Sequence, residues 1–246
     1  MFGLPDSVIA LLFDLDGVLT QTAKLHASAW KLTFDELLQR RAVAEGREFI
    51  AFDQVDDYDE YVDGLPRADG VRSFLRSRDI ELPEGDPDDP TDALTIHGVG
   101  NDKNARLLKL IHERGVESYP GSVRFVRAAA AAGLSRAVVS SSANCHDVLI
   151  AAGLSELFDT VIDGVVAARD HLPGKPAPDT FLAGARALGV EPRQAAVFED
   201  ALAGVQAGRV GGFGWVVGVD RVGQADGLRA HGADLVVSDL EELLSR

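Results

Sequence analysis

Residues 8–17 read Val-Ile-Ala-Leu-Leu-Phe-Asp-Leu-Asp-Gly, an unbroken apolar run followed by two acidic residues and a glycine. Such a run favours a strand buried on both faces of a parallel sheet, because it lacks the alternation of a half-exposed strand. Asp14 and Asp16 stand two residues apart, so they project to the same side of an extended chain. They follow the strand directly, and open α/β sheets bind ligands at the carboxyl ends of their strands. This segment therefore predicts a core strand and one edge of a site.

Beyond about residue 120, short apolar runs alternate with helical patterns. Predicted strands cover 137–139, 160–162, 195–198, 215–219 and 235–237, and predicted helices cover 123–132, 144–152 (capped by Asn144) and 179–188. Repeated strand–helix units predict an α/β fold, a doubly wound parallel sheet with right-handed crossovers and a Rossmann-like core.

Residues 23–115 interrupt this alternation. Segments 23–41 and 101–114 have helical patterns, whereas 52–64 and 79–90 are acidic and rich in turn residues. We interpret this region as a mostly α-helical cap domain inserted into a catalytic core made of residues 1–22 and 116–246.

Two features of the sequence invite functions that we do not assign. The acidic stretch within 52–64 lacks the glycine and glutamate positions of an EF-hand, so we interpret it as a solvated loop. Cys145 has no basic neighbour that marks it as a nucleophile, and we expect a core residue at a helix start.

Composition limits the possible partners. The chain has 246 residues and a formal net charge of −15, which disfavours nucleic acid and anionic membranes. One cysteine excludes an intrachain disulfide, and the first apolar run is too short for a signal peptide or a membrane span. We expect a cytoplasmic monomer.

A second acidic pair, Glu199 and Asp200, follows the predicted strand 195–198. Four carboxylates at two strand ends are unfavourable without a cation, and hard oxygen ligands suit Mg²⁺. The alternatives are a turn cap before Gly17 and a helix cap by Asp200, and the second can coexist with metal binding.

Two further segments supply groups for an anion. Ser140, Ser141, Ser142 and Asn144 follow a strand and precede a helix, where hydroxyls and backbone N–H groups bind phosphate or simply cap the helix. Lys175 stands between Gly174 and Pro176. A lysine held about 4 Å from an opposite charge interacts by roughly 4 kcal/mol at an effective dielectric of about 20. An exposed pair contributes only about 0–1 kcal/mol.

These segments form a set along the whole chain: Phe-Asp-Leu-Asp-Gly-Val-Leu-Thr at 13–20, then Thr22, His26 and Trp30, Gly-Lys-Pro-Ala-Pro-Asp at 174–179, and Glu-Asp-Ala-Leu-Ala-Gly at 199–204. The set resembles the haloacid dehalogenase superfamily of phosphotransferases, and within it the β-phosphoglucomutase subfamily. The resemblance implies isomerisation of β-D-glucose 1-phosphate to glucose 6-phosphate through a bisphosphate and an aspartyl-phosphate.

The resemblance also implies roles. Asp14 is the nucleophile and Asp16 the general acid and base. Mg²⁺ is held by Asp14, the Asp16 carbonyl and Asp200, with Glu199 nearby. The substrate, a small sugar phosphate, is bound by Thr22, His26, Trp30, Arg67, Lys103, Ser140, Ser141, Ser142, Asn144 and Lys175. Among these, His26 orients Lys103, while Ser140 and Lys175 hold the transferring phosphoryl group.

Two positions depart from the subfamily pattern. Pro66 stands where many members carry serine, and Ala143 stands where some carry lysine. These departures leave the core chemistry intact but bear on which sugar is bound. Two other functions stay open besides: a sugar-phosphate phosphatase with the same nucleophile, and a phosphorylatable signalling receiver. A receiver needs only about half this length and leaves the cap unexplained.

Overall fold

The fold is taken from a computed structural model, which describes residues 2–245. Its sheet is built from β1 (Ala10–Phe13), β2 (Ser135–Val139), β3 (Thr160–Ile162), β4 (Ala195–Glu199), β5 (Trp215–Val219) and β6 (Leu235–Val237). All neighbours are parallel, in the order β3-β2-β1-β4-β5-β6. The chain thus builds outward on one side of β1 and then on the other, which confirms the predicted doubly wound sheet.

The α-helices of the described chain are α1 (Ala23–Glu45), α2 (Asp56–Tyr61), α3 (Arg67–Ser77), α4 (Ile96–Arg114), α5 (Pro120–Ala131), α6 (Cys145–Ala151), α7 (Gly164–Arg169), α8 (Asp179–Ala187), α9 (Leu202–Val210) and α10 (Ala225–Ala230). Short 3₁₀ helices cover Ser155–Leu157, Pro192–Gln194 and Leu240–Ser245. None of the helices within residues 2–245 has the length and apolarity needed to cross a bilayer.

The chain divides into two compact units. Unit 1 contains Met1–Gln21, Gly64–Pro66 and Val116–Arg246, and unit 2 contains Thr22–Asp63 and Arg67–Gly115. Unit 1 carries the sheet, and unit 2 is helical. The short segment Gly64–Pro66 lies inside the predicted cap sequence but groups with unit 1. The predicted domain boundaries themselves stay a prediction.

The core of unit 1 covers both faces of the sheet. On one face, Leu12 and Val197 pack with Phe181 of α8. On the other face, Phe13 stacks on Phe198 with ring centroids 4.6 Å apart, and Phe125 of α5 packs edge-on against Phe13. Burial on both faces explains why β1 is apolar throughout.

Unit 2 has a separate aromatic core. Phe34 of α1 lies at the centre, 4.1 Å from the ring of Phe74 and 5.3 Å from that of Phe52. Trp30, one turn earlier on α1, stacks on Phe34 at 4.9 Å. Because Trp30 and Phe34 are four residues apart, they lie on the same face of α1, and this face packs against the core.

The prediction of a solvated loop for the acidic stretch was wrong in part. Residues 56–61 form α2, and Tyr58 is buried. Just before the helix, the Asp53 carboxylate accepts hydrogen bonds from the backbone N–H groups of Val55 and Asp56 at 2.8 and 2.9 Å. The burial of Tyr58 and the local hydrogen bonds of Asp53 outweigh the turn-rich composition.

Candidate active site

The register of the sheet places the first carboxylates side by side. Phe13 of β1 pairs with Phe198 of β4, so the next residues, Asp14 and Glu199, emerge at the same edge. On the other side Phe13 pairs with Val138, which brings Ser140 to this edge as well. Parallel strands therefore collect, at one sheet edge, residues that are far apart in the sequence.

The turn after Asp14 is tightly hydrogen bonded. Leu15 accepts from the N–H groups of Leu19 and Thr20 at 2.9 and 3.0 Å, and Gly17 N–H donates to the Thr20 carbonyl at 2.8 Å. Gly17 has a φ of 89°, a conformation that side chains disfavour. A Cβ on Gly17 would lie 1.7 Å from Oδ2 of Asp200. Only glycine lets this turn approach Asp200 so closely.

Lys175 joins two of the carboxylates. Its Nζ lies 2.5 Å from Oδ1 of Asp14 and 2.5 Å from Oε1 of Glu199, and it also donates to the Val139 carbonyl at 3.2 Å. The lysine is 2% exposed, and its ammonium lies 4.9 Å from the ring centroid of Phe181. The ammonium is thus fixed between the predicted nucleophile and a second acid.

Burial dominates the ionisation of this group. Burial raises the pKa of Asp14, Lys175 lowers it, and the nearby charge of Asp16 raises it again. Burial also raises the pKa of Glu199 to about 7, against the opposing effect of Lys175. For Lys175, burial favours the neutral amine, but the two carboxylates hold its pKa above the ordinary value. The carboxylates are therefore costly to ionise without a cation close by.

Asp14, Glu199 and Asp200 form the acidic cluster. Each offers a carboxylate oxygen, these oxygens all lie within 4.8 Å of one another, and all three residues are buried. Hard carboxylate oxygens at this spacing fit a small divalent cation. Glu199 is already bonded at both oxygens, to Lys175 and to the Ala201 N–H at 2.9 Å. It therefore fits a supporting position better than direct coordination.

The serine segment after β2 forms a compact turn. Ser140 is buried, and its Oγ accepts from Ser142 N–H at 3.1 Å. Ser141 donates to the Gly64 carbonyl at 2.8 Å. The predicted cap by Asn144 was wrong: its side chain makes no capping bond at α6, and Ser142 Oγ accepts from Asn144 N–H at 3.2 Å instead.

Three predicted residues meet within unit 2. His26 Nδ1 lies 3.1 Å from Nζ of Lys103, and this ammonium lies 4.8 Å from the ring centroid of Trp30. Burial, with the adjacent lysine, lowers the pKa of His26 well below its usual value. A neutral His26 accepts a hydrogen bond at Nδ1 from the Lys103 ammonium. Thr22, at the start of α1, accepts from His26 N–H at 2.9 Å.

Arg67 begins α3 in the same unit. Its side chain packs on Gly100, where a Cβ would lie 3.3 Å from the arginine Cγ. Burial lowers the pKa of Arg67, and no carboxylate among residues 2–245 contributes to it. A partly buried guanidinium of this kind is suited to an anionic ligand.

Comparison with known proteins agrees with this geometry. The haloacid dehalogenase-like hydrolase family model matches residues 9–212. The chain belongs to the haloacid dehalogenase-like hydrolase family.

Relatives of this haloacid dehalogenase-like chain include the β-phosphoglucomutase of Mycobacterium bovis, 56% identical over 99% of this chain and 94% of the relative. The β-phosphoglucomutase of Bacillus subtilis is 30% identical over 95% and 91% of the two chains. Among solved structures, β-phosphoglucomutase from Clostridium difficile superposes with a TM-score of 0.75, at 27% identity, over 96% of this chain and 93% of that one.

Two residues that touch the acidic turns of this haloacid dehalogenase-like chain were not predicted. Arg221 and Gln224, in the loop after β5, donate to the carbonyls of Gly17 and Asp200. The strand-end criterion that selected Asp14 and Glu199 applies to this loop too, but the loop lacks the pair of carboxylates by which those sites were recognised.

Cys145 is buried at the start of α6, as predicted, and burial raises the pKa of its thiol.

Proposed function

We propose that this chain is a magnesium-dependent phosphotransferase that isomerises β-D-glucose 1-phosphate to glucose 6-phosphate through a glucose 1,6-bisphosphate. One observation carries the proposal: a buried Asp14 carboxylate at the end of the central strand, in contact with the Lys175 ammonium. The β-phosphoglucomutase name of a relative 56% identical over nearly the full length supports the substrate class.

The chemistry assigned to Asp14 and Asp16 follows from their positions. Asp14 attacks the phosphorus of the bound phosphate and forms an aspartyl-phosphate, while Asp16 protonates the departing sugar oxygen. In the second half of the cycle Asp16 removes the proton from a sugar hydroxyl, which attacks the phosphorylated Asp14. Lys175, already bonded to Asp14, stays beside the phosphoryl oxygens through both steps and offsets their charge.

The carboxylates of Asp14 and Asp200, with the backbone carbonyl of Asp16, would hold Mg²⁺. Bound there, the ion would neutralise charge on the transferring phosphoryl group. The buried acidic cluster supports this assignment, because three close carboxylates are otherwise mutually repulsive. Ser140 is proposed to donate its hydroxyl to the same phosphoryl group.

A mutase also has to bind the phosphate that is not being transferred. Arg67 is the proposed ligand, supported by its partly buried guanidinium without a carboxylate partner among the described residues. Lys103 is proposed to contact the sugar phosphate, oriented by His26 and the face of Trp30.

A phosphatase is the second candidate, favoured by the hydrolase description of the matching family. Phosphorus NMR separates the two. The protein is incubated with magnesium and β-glucose 1-phosphate, seeded with glucose 1,6-bisphosphate. A mutase yields glucose 6-phosphate, whereas predominant release of inorganic phosphate would favour the phosphatase.

The nucleophile itself is tested by Asp14→Asn. The amide is nearly isosteric with the carboxylate but cannot form the phosphorylated intermediate, so activity should fall by several orders of magnitude in a folded protein. The fold is checked by circular dichroism and thermal melting, and retention of a tenth of wild-type turnover would contradict the assignment. Asp226→Asn, at a fully exposed position of α10, is the control and should keep its activity.

A further inference from the structure

The loop after β5, residues 220–224, contacts both acidic turns of the site. Arg221 Nε donates to the Gly17 carbonyl at 2.8 Å, and Gln224 Nε2 donates to the Asp200 carbonyl at 3.1 Å. We propose that Arg221 is a positioning residue that holds the Gly17 turn against Asp200 and thereby sets the magnesium affinity of the site. Gln224 holds the Asp200 backbone from the same loop. This inference rests on the proposed function.

The guanidinium of Arg221 is itself held in place from two sides. Its Nη1 donates to the Ser238 carbonyl at 2.7 Å and lies 3.2 Å from Oδ2 of Asp239, both just after β6. Its central carbon lies 3.6 Å from the ring centroid of Tyr119, and the side chain is 14% exposed. Because the guanidinium is planar and rigid, fixing Nη1 and the ring face also fixes where Nε points.

The Gly17 turn transmits this position to Asp200. A Cβ on Gly17 would lie 1.7 Å from Oδ2 of Asp200, so the turn backbone forms the wall against which that carboxylate rests. The turn is closed by the bond from Gly17 N–H to the Thr20 carbonyl. Loss of the Arg221 hydrogen bond therefore lets the Gly17 backbone move away from the Asp200 carboxylate, although no atom of Asp200 is changed. Groups that orient metal ligands typically change metal affinity by about 10–100-fold when removed.

Hydrogen bonds within loop 220–224 and to the neighbouring strand β6 hold its backbone in place. The Asp220 carboxylate accepts from the N–H groups of Gly223 and Gln224 at 2.7 and 2.9 Å. Asp220 N–H in turn donates to the Val237 carbonyl at 2.8 Å. The loop is thus a fixed support from which Arg221 and Gln224 reach the two acidic turns.

Arg209 provides a matched control. Its Nε donates to the Gly232 carbonyl at 3.0 Å, and its Nη2 lies 2.5 Å from Oδ1 of Asp234. It therefore also combines a carbonyl and a carboxylate, but at the amino ends of β5 and β6, where Asp234 binds Val216 N–H. Loss of Arg209, whose side chain is 48% exposed, removes a carbonyl and a carboxylate contact of the same kind without touching either acidic turn.

The test is magnesium titration of the metal-free, full-length chain by isothermal calorimetry, without substrate, for Arg221→Met, Gln224→Met and Arg209→Met. We expect magnesium affinity to fall about 10-fold in Arg221→Met and by a smaller factor in Gln224→Met. Arg209→Met should melt at a lower temperature, yet bind magnesium as wild type does. A magnesium requirement raised in Arg221→Met, with turnover recovered at saturating magnesium, would further support positioning of the metal site.

Folded Arg221→Met with wild-type magnesium affinity would overturn the inference while leaving the proposed function intact. An equal loss of affinity in Arg209→Met would also overturn it, because general destabilisation would then explain the effect. If Arg221→Met does not fold, Gln224→Met decides: weaker binding supports the loop's role, and unchanged binding overturns it. A wild-type chain that binds no magnesium would overturn the proposed function and this inference together.

Discussion

At the scale of single residues, the acids of the site differ in the hydrogen bonds that their carboxylate oxygens accept. Asp14 and Glu199 are similar in charge and burial, and both bind Lys175. Glu199 also accepts from Ala201 N–H, so both of its oxygens are occupied. Asp200 has its Oδ2 close to the Gly17 turn and contributes a carboxylate oxygen to the acidic cluster. Glu199 and Asp200 therefore differ in their contacts, and we expect them to differ in function.

This difference predicts separate effects for the two acids. Asp200→Asn should weaken magnesium binding by about 10-fold or more, because it removes a proposed ligand charge. Glu199→Gln should change magnesium affinity by less than about threefold but lower turnover, because it removes one of the two charges that hold Lys175. Calorimetric titration and steady-state rates measure the two quantities, and equal losses of affinity would contradict the distinction.

At the scale of elements, close packing of helices on the sheet fixes the loops that carry the site. A Cβ on Gly184 of α8 would lie 2.9 Å from a methyl group of Leu12 and 3.0 Å from one of Val139, so any larger residue would have to displace these side chains. Phe181, one turn earlier, lies against the Lys175 ammonium. The close packing of α8 on β1 and β2 therefore helps to fix the position of Lys175.

Helix α2 provides an element-scale prediction about pH. Burial, followed by the nearby Asp56 charge, raises the pKa of Asp59 to about 6, from 3.8 in the unfolded chain. The folded protein thus binds the Asp59 proton more tightly than the unfolded chain does. Protonated Asp59 therefore contributes to the stability of the fold below about pH 4, and this contribution is lost as the pH rises through about 6.

Asp59→Asn should remove that loss. Two pKa units correspond to about 3 kcal/mol, but Asp59 is half-buried and screened by solvent, so we expect the variant to be about 1 kcal/mol more stable at pH 7. At pH 4 the variant and wild type should be equally stable. Urea unfolding at both pH values measures this, with the exposed Asp92→Asn as control. A gain at pH 4 equal to that at pH 7 would contradict the argument.

At the scale of the whole molecule, acidic residues outnumber basic ones. A net charge of −15 repels an anionic substrate, so binding depends on a few local cations. Lys175 in unit 1 is neutralised by two carboxylates, whereas Arg67 in unit 2 has no carboxylate partner among residues 2–245. A mutase needs both kinds of group: one beside the transferred phosphoryl group and one for the second phosphate.

Arg67→Ala should therefore separate the two activities. Isomerisation of β-glucose 1-phosphate should fall roughly 30-fold more than hydrolysis of p-nitrophenyl phosphate, since a lost charge-assisted hydrogen bond costs about 2 kcal/mol. Both rates are measured on the same preparation, with Arg76→Ala on the exposed side of α3 as the control. Equal loss of both activities would assign Arg67 to the fold or to general access.

The elements most visible in the sequence were those governed by local pattern. Strands β3, β5 and β6 were predicted at their observed bounds, because buried parallel strands are continuous apolar runs between turn residues. Helices α3 and α7 were not predicted, and α2 was interpreted as a loop. These helices are short or strongly polar. Helices α2 and α3 depend on the burial of Tyr58 and Phe74, whereas α7 buries no residue and is capped locally by Asp163.

The sequence by itself determined the doubly wound sheet and the residue types at its carboxyl edge, because periodicity and strand-end position are local properties of the chain. Only the tertiary structure decided which of these residues touch. The contact of Lys175 with Asp14 and Glu199 joins residues 161 and 24 positions apart. The contacts of Arg221 with Gly17 and of Gly17 with Asp200 depend on the sheet register and on a missing Cβ. Such distances arise from packing across strands, which no local pattern encodes.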